Sequence, residues 1–390
     1  MDGDAAPQLD VTHHISRVIG RVVGNDTGPT LICIGSIHGN EPAGVTALQR
    51  VFGQLDKQQV ISHGTLLGIA GNLSAIDQNR RYVDEDLNRI WTRDRIDSLV
   101  SGDLNSGQRV AEDLETAEIL REIELAAAEA RGDLFLIDLH TTSGHSPPFG
   151  LVADTLRNRS FALKFPVSII LGLEEHLDGT LMEFFNNRGY VTLAFEGGQH
   201  DSSTSVDLLE SCIWMGLSVL NMLRNPVCAP QIQLARNKLS EVSSPFPRAL
   251  EVRYRHQVDL DDEFEMEPGF AGFRMVRAGD VLAHDRSGKL TAAENSRVLL
   301  PLYQSQGADG YFLMREFSTF WLTVSATLRH MGLDSVIHWL PGVTRSPDNP
   351  NTLVINRRVA RWFALQVFHL LGYRRRRMDG ETLIMTRRPE

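Results

Sequence analysis

His38 and Glu41 lie in the turn Gly35-Ser36-Ile37-His38-Gly39-Asn40-Glu41-Pro42, directly after the apolar run Leu31–Ile34. A histidine and a glutamate at the mouth of a strand can grip one metal ion together. Two His and one Glu, with a position left open for water, is a common ligand set in zinc hydrolases. HxxE spacing alone is frequent in proteins. The surrounding Gly-x-x-His-Gly-Asn-Glu is more restrictive, and Gly39 is expected to supply a positive φ.

A third ligand should also leave a strand at its carboxyl end, where ligands gather in open α/β sheets. His140 does so in Leu136-Ile137-Asp138-Leu139-His140-Thr141-Thr142. Asp138 lies inside that apolar run, and a buried carboxylate needs hydrogen bonds. The free ring nitrogen of a ligating histidine, His38, is the expected partner, which would fix that ring's tautomer. Glu196 ends a further apolar run, Val191–Phe195, and precedes two glycines. A carboxylate aimed into the pocket there could take a proton from water and pass it to a leaving nitrogen. Arg81, Asn88 and Arg89 fall within one short segment, with Asp86 placed to orient an arginine and Trp91 to cap an apolar side. Guanidinium groups hold carboxylates through paired hydrogen bonds and can stabilise a developing oxyanion. His145 reads as a loop residue, and His200 is offset from the strand end.

These residues need strands and helices to position them. Residues 11–235 read as α/β, with strands expected at 31–34, 65–70, 134–139, 167–171 and 191–195 and helices at 41–52 and 111–130. Continuous apolar strands fit a sheet covered on both faces. Residues 236–250, rich in Ser and Pro, read as a linker. Residues 249–316 alternate short runs with turns and suggest a small β domain, sandwich or barrel. Residues 317–390 suggest helices at 317–331 and 357–371 and a closing hairpin around Asp379-Gly380. Those two helices could pack on the β domain or form a dimer contact, so a homo-oligomer stays open. The run Arg374–Arg377 reads as a solvated face or strand edge.

The chain has 390 residues, 42% hydrophobic and 23% charged, which fits two or three soluble domains. A net charge of −10 argues against nonspecific binding to nucleic acid or anionic membrane. Cys33, Cys212 and Cys228 are too few and too scattered for a disulfide framework, which suits a reducing cytoplasm. No apolar run approaches the roughly 18–20 residues a membrane span needs. The first ten residues are acidic and polar, lack signal-peptide features and are expected to be loose.

Gly-x-x-His-Gly-Asn-Glu at 35–41, Arg-Tyr-x-x-x-Asp-Leu-Asn-Arg at 81–89, Asp-Leu-His-Thr-Thr at 138–142 and Glu196 together resemble the succinylglutamate desuccinylase/aspartoacylase family, of zinc carboxypeptidase-like fold. The resemblance implies a mixed sheet flanked by helices, then a smaller β domain, with an α/β C-terminal extension left unmatched. It implies one zinc ion held by His38, Glu41 and His140, Glu196 as general base, and Arg89 polarising the carbonyl. Arg81 and Asn88 fall on the substrate side. It also implies an arginine shortly before Glu196, for which Arg188 is the nearest candidate, and a pocket-closing tyrosine, for which Tyr303 is a counterpart. The segment Gly197-Gly198-Gln199-His200 departs from the family's pattern.

The expected activity is hydrolysis of the amide bond of an N-acyl amino acid or related small, anionic substrate. A carboxypeptidase acting on peptides uses the same ligands, and a non-catalytic binding module would keep the fold alone. The ligand set would also accept cobalt, nickel or manganese.

Overall fold

A computed structural model describes residues 15–55, 60–103, 109–224, 227–259, 261–332, 337–347, 349, 351–356, 368, 371–379 and 382–387. The strands in chain order are β1 (Val18–Val23), β2 (Asp26–Gly35), β3 (His63–Ala70), β4 (Leu134–Thr142), β5 (Phe149–Leu151), β6 (Ser168–Leu171) and β7 (Val191–Gln199). They continue with β8 (Ala249–Gln257), β9 (Glu265–Met266), β10 (Met275–Val276), β11 (Val281–Asp285), β12 (Gly288–Thr291), β13 (Ser296–Leu299) and β14 (Asp309–Glu316). The last four are β15 (Val343–Arg345), β16 (Thr352–Asn356), β17 (Tyr373–Asp379) and β18 (Thr382–Arg387).

Eleven of them form one mixed sheet in the order β1-β3-β2-β4-β7-β5-β6-β8-β14-β13-β10. Its central strands β3, β2, β4 and β7 run parallel. Leu31, Ile32, Cys33 and Ile34 are all fully buried, as are Leu136 and Ile137, because alternate residues point to opposite faces and both faces are covered. Helices Ala43–Leu55 and Ser203–Val219 pack in one apolar layer. Helix Ala111–Ala128 and the helix Leu181–Asn186 lie in the other.

The region 249–316 does not start a separate sheet. β8 pairs in parallel with β6, and β14, β13 and β10 continue the main sheet antiparallel. A three-stranded sheet, β12-β11-β9, completes it.

The linker expected at 236–250 is overturned. Helix Ala229–Ser243 runs through its first half, with Ala235, Leu239 and Ser243 buried. A four-residue spacing puts those three on one face, which composition alone conceals.

The C-terminal region carries helix Thr319–His330 and the antiparallel sheet β15-β16-β18-β17, with its own apolar cluster. The expected helix 357–371 lies almost wholly outside the described residues, as do the expected loose first ten residues. The reading of the arginine run as a solvated face fails at Arg374, which is buried and paired with Asp154, Glu175 and Glu251. A strand with a buried face alternates inward and outward side chains, so one of consecutive arginines must point in. No helix among the described residues is long and apolar enough to cross a membrane.

Candidate metal centre and pocket

The carboxyl ends of β2, β4 and β7 meet at one place. The register sets Gly35 beside Leu139, and His140 directly beside Glu196. His38 and Glu41 follow β2 in a tight turn. The positive φ there belongs to Ser36, at 61°, not to Gly39. Ser36 Oγ donates to the carbonyl of Glu41 at 2.7 Å, which holds the turn shut. Gly39 is needed for a different reason: a Cβ there would lie 2.1 Å from the carbonyl carbon of Ala75.

His38, Glu41 and His140 form a buried group whose ligand atoms all lie within 4.8 Å of one another. His38 Nδ1 is 2.7 Å from Glu41 Oε1, and His140 Nδ1 is 3.2 Å from Glu41 Oε2. Each ring's other nitrogen meets a carboxylate. Asp138 Oδ2 is 2.8 Å from His140 Nε2, and Asp86 Oδ1 is 3.2 Å from His38 Nε2. The expected Asp138–His38 pair is therefore corrected. Asp138 and His140 are two apart on one strand, so their side chains share a face, while His38 lies beyond the end of its strand.

This donor set fits a zinc ion. Both histidines turn Nδ1 toward the shared carboxylate and have Nε2 fixed by an acid, the usual support of metal-ligating imidazoles. Burial alone would raise the pKa of Glu41, but His38 and His140 outweigh it and hold the carboxyl well below its ordinary value. Burial would lower the pKa of His140, yet Asp138 and Glu41 keep it well above the ordinary imidazole range.

Glu196 is the exception. Burial pushes its carboxyl up to about 8, with the charges of Glu41 and Asp138 adding to the rise against His140 and Arg81. Its Oε2 is buried without a hydrogen-bond partner.

The Arg81–Arg89 segment is moored by Glu112, at the start of helix Ala111–Ala128. Its carboxylate accepts from the backbone N–H groups of Val83, Asp84 and Glu85. Asp86 takes two hydrogen bonds from Arg81, from Nε at 3.1 Å and a terminal nitrogen at 2.9 Å, so it orients both an arginine and a histidine. Arg81 is also 3.8 Å from Glu41. Arg89 donates to Asp309 at 2.7 Å. Asn88 accepts from the Leu181 N–H at 2.9 Å. Trp91 is buried against Phe184 and Phe185, in the core and not at the pocket.

One pocket is lined by His38, Glu41, Arg81, Asn88, Arg89, His140 and Glu196 together. Two further expected residues are not brought to it. Arg188 pairs with Glu124 at 3.1 Å and stacks over Phe184. It precedes β7, so the length of a strand separates it from Glu196 at the other end. Tyr303 hydroxyl donates to the Glu267 carbonyl at 2.7 Å and accepts from the Phe270 N–H, facing away. Its neighbours Leu302 and Gln304 line the pocket instead, because alternate residues of an extended loop point to opposite sides.

Several lining residues had no sequence signal strong enough to find them. His200 meets Thr141 Oγ1 at 2.7 Å and Gln304 at 3.2 Å, while Asn40 donates to Gln304 at 2.8 Å. Gln304, from a loop, and Asp309, at the start of β14, lie more than 100 residues beyond Glu196. His145 lines no part of the pocket; its carbonyl accepts from the Gly272 N–H.

A mixed sheet carrying a buried His–Glu–His group and an adjacent unpaired acid at its carboxyl end is the kind of site on which single-metal hydrolases are built. Residues 27–174 match the family model of the succinylglutamate desuccinylase/aspartoacylase catalytic domain. The succinylglutamate desuccinylase of Photorhabdus laumondii is 29% identical over 164 residues, 41% of this chain and 48% of that protein. That of Pseudomonas paraeruginosa is 28% identical over 116 residues, 30% of this chain and 32% of that protein. The chain thus spans about half, or less, of the length of these curated relatives.

Among solved structures, the succinylglutamate desuccinylase of Vibrio parahaemolyticus superposes with a TM-score of 0.53 at 16% identity, covering 76% of this chain and 86% of that one. The product-bound ectoine utilization protein EutE (DoeB) of Ruegeria pomeroyi gives 0.52 at 19%, covering 75% and 86%. At these identities the superpositions establish the fold.

Proposed function

We propose that this protein is a zinc-dependent deacylase that hydrolyses the amide bond of an N-acyl amino acid or a related small carboxylate. The observation that carries the reading is Glu196. A buried carboxyl with an unpartnered oxygen and a pKa raised to about 8 stands beside His140 in register, facing the same pocket as the metal group. Perturbed acids in clefts mark proton-transfer sites.

Zinc held by His38, Glu41 and His140 would supply Lewis-acid polarisation and a water of lowered pKa. Glu196 accepts the proton of the attacking water and delivers it to the leaving nitrogen, for which a pKa near the working pH is suited. Arg81, held rigidly by Asp86 beside Glu41, is placed to face the oxygen of the scissile carbonyl as charge grows on it. That role was expected of Arg89. Arg81 stands nearer the metal group, and Arg89, further out, is assigned to a substrate carboxylate, with Asn88 fixing the loop between them. Asp138 and Asp86 hold the two imidazoles.

The test is zinc content of the purified protein and hydrolysis of an N-acyl amino acid panel by wild type and Glu196→Gln. Full activity of that variant rejects the mechanism. Cleavage of peptides in preference to acylated amino acids favours a carboxypeptidase, and a protein that neither binds zinc nor turns over any substrate favours a binding module. A cytoplasmic setting fits the three free, buried cysteines.

A further inference from the structure

Two short segments form one wall of the pocket. Leu151 ends β5, with Val152 and Ala153 just beyond it, and Leu173, Glu174 and Leu177 follow β6. β5 and β6 are paired in parallel, so both segments leave the sheet at the same end. Glu174 joins them, since its Oε1 accepts from the Asp154 N–H at 3.1 Å.

The wall is held from the C-terminal region. Asp154 directly follows the first segment, and Glu175 directly follows Glu174 in the second. Arg329 donates to the Asp154 carbonyl at 3.1 Å, and its other terminal nitrogen is 3.1 Å from Asp154 Oδ1. Arg374 Nε donates to Asp154 Oδ2 at 2.7 Å, and Nη1 donates to Glu175 at 3.2 Å and to Glu251 on β8 at 2.9 Å. One guanidinium thus spans both wall segments, from 220 and 199 positions further along the chain. Both arginines are buried, and neither lines the pocket. Gly372, at a φ of 84°, leaves room for Arg329, because a Cβ there would lie 2.8 Å from its guanidinium carbon.

We propose that Arg374 and Arg329 are positioning residues of the pocket, through which the C-terminal region fixes the wall at 151–153 and 173–177 and so sets which apolar group fits against it. This rests on the deacylase reading and deepens it. A planar guanidinium with several donors holds two or three carboxylates at set angles. The residues it fixes present Leu151, Val152, Leu173 and Leu177 to the pocket. A wall that yields forfeits the close contacts an apolar substrate group would gain on it.

The experiment measures kcat/KM of zinc-loaded wild type, Arg374→Gln and Glu175→Gln for N-acetyl-glycine, N-acetyl-leucine and N-hexanoyl-glycine. Wild type should favour at least one of the two larger substrates over N-acetyl-glycine by about tenfold or more, since its apolar chain is buried on the wall. Arg374→Gln should lower that ratio by about fivefold or more, and Glu175→Gln by about twofold. A ratio between two substrates does not move with the fraction of enzyme that is folded, so a merely structural role leaves it unchanged. Glu175→Gln keeps Arg374 on Asp154 and Glu251, and it carries the test if Arg374→Gln does not fold. An unchanged ratio in every folded variant overturns the proposal, as does a wild type that favours neither larger substrate. Amide hydrogen exchange of the same proteins reads the wall without turnover. Exchange should quicken at 152–155 and 173–177 and stay at the wild-type rate across Leu31–Ile34. No change at the wall, or quickening in both places, overturns the proposal. Turnover of no substrate by the wild type rejects the deacylase reading, and exchange then decides this one by itself.

Discussion

Two clusters of buried charge lie close together in this molecule and are built on opposite principles. Around Asp154, three arginines from three elements converge. Arg159 comes from helix Leu156–Ala162, Arg329 from helix Thr319–His330 and Arg374 from β17. Arg374 reaches on to Glu175 and Glu251. Burial would raise the pKa of Asp154, but the three guanidinium charges hold it far below the carboxylate range.

At the His–Glu–His group, Glu41 is likewise stabilised as an anion, while Glu196, beside His140 in the sheet, is pushed the other way. The first cluster surrounds its carboxylate with three guanidinium groups and so ties the C-terminal region to the main sheet. The second holds Glu196 buried with no ion pair among the described residues. Saturation marks a structural role and deficit a functional one, because an unpaired buried charge is costly unless something arrives to meet it.

That contrast can be broken by experiment. Glu196→Gln should lower kcat by about a hundredfold to ten-thousandfold, the usual contribution of a general base. Melting temperature should stay at or above the wild-type value, since a neutral amide replaces an acid that burial disfavours. A marked loss of stability would place Glu196 with Asp154 as a structural residue.

Asp154→Ala should do the reverse. Removing the anion takes from Arg159, Arg329 and Arg374 the carboxylate they share, so unfolding in urea should show a loss of about 3–5 kcal/mol. Zinc content at a temperature where the variant is folded should be unchanged. An Asp154→Ala protein of wild-type stability would dissolve the distinction.

pH separates the two with opposite signs. The Glu196 pKa is raised on folding, so in chelated protein its contribution is most favourable below the unfolded value of about 4.3 and declines as pH rises. The decline ends near the folded value of about 8. The Asp154 pKa is depressed, so its contribution is complete above about 3.9 and is lost only as pH falls below that. Urea midpoints of chelated wild type and Glu196→Gln across pH 4–9 should diverge, with the variant flatter. Parallel curves would contradict the burial of Glu196.

The smallest effects belong to residues the structure moves out of the pocket. Tyr303→Phe should change kcat/KM by less than about threefold, because its hydroxyl serves two backbone groups with modest individual hydrogen bonds. Arg188→Ala should leave kcat/KM unaltered and cost under about 1 kcal/mol, as an exposed ion pair. A tenfold loss in either would return that residue to the site.

The residues that perform local chemistry were legible in the chain. His38 and Glu41 share one turn, Asp138 and His140 share one strand, and each run of apolar residues ending in a polar one announces a strand end. The parallel order of β2, β4 and β7 was not written in any single segment, yet it is what sets His140 beside Glu196.

Partner choice was read less well. Asp138 meets His140 and not the expected His38, since which imidazole an acid meets depends on how two strand ends are offset. Arg188 and Tyr303 follow from the family resemblance by their place in the chain, which says nothing of which end or face of a strand a side chain occupies. Arg374 looked like surface because nothing near it in sequence resembles a partner. Its partners are Asp154, Glu175 and Glu251.

The sequence by itself therefore determined the His–Glu–His donor set, the acid beside it and the α/β framework, because these depend on short-range periodicity and residue type. Only the tertiary structure decided which charges are paired and which are left waiting. Asp309 beside Arg89, Gln304 beside His200 and Arg374 beside Asp154 join residues 100 to 220 positions apart. Such pairings follow from how the sheet orders its strands, and Coulomb interactions in a buried pocket depend on distance in space alone.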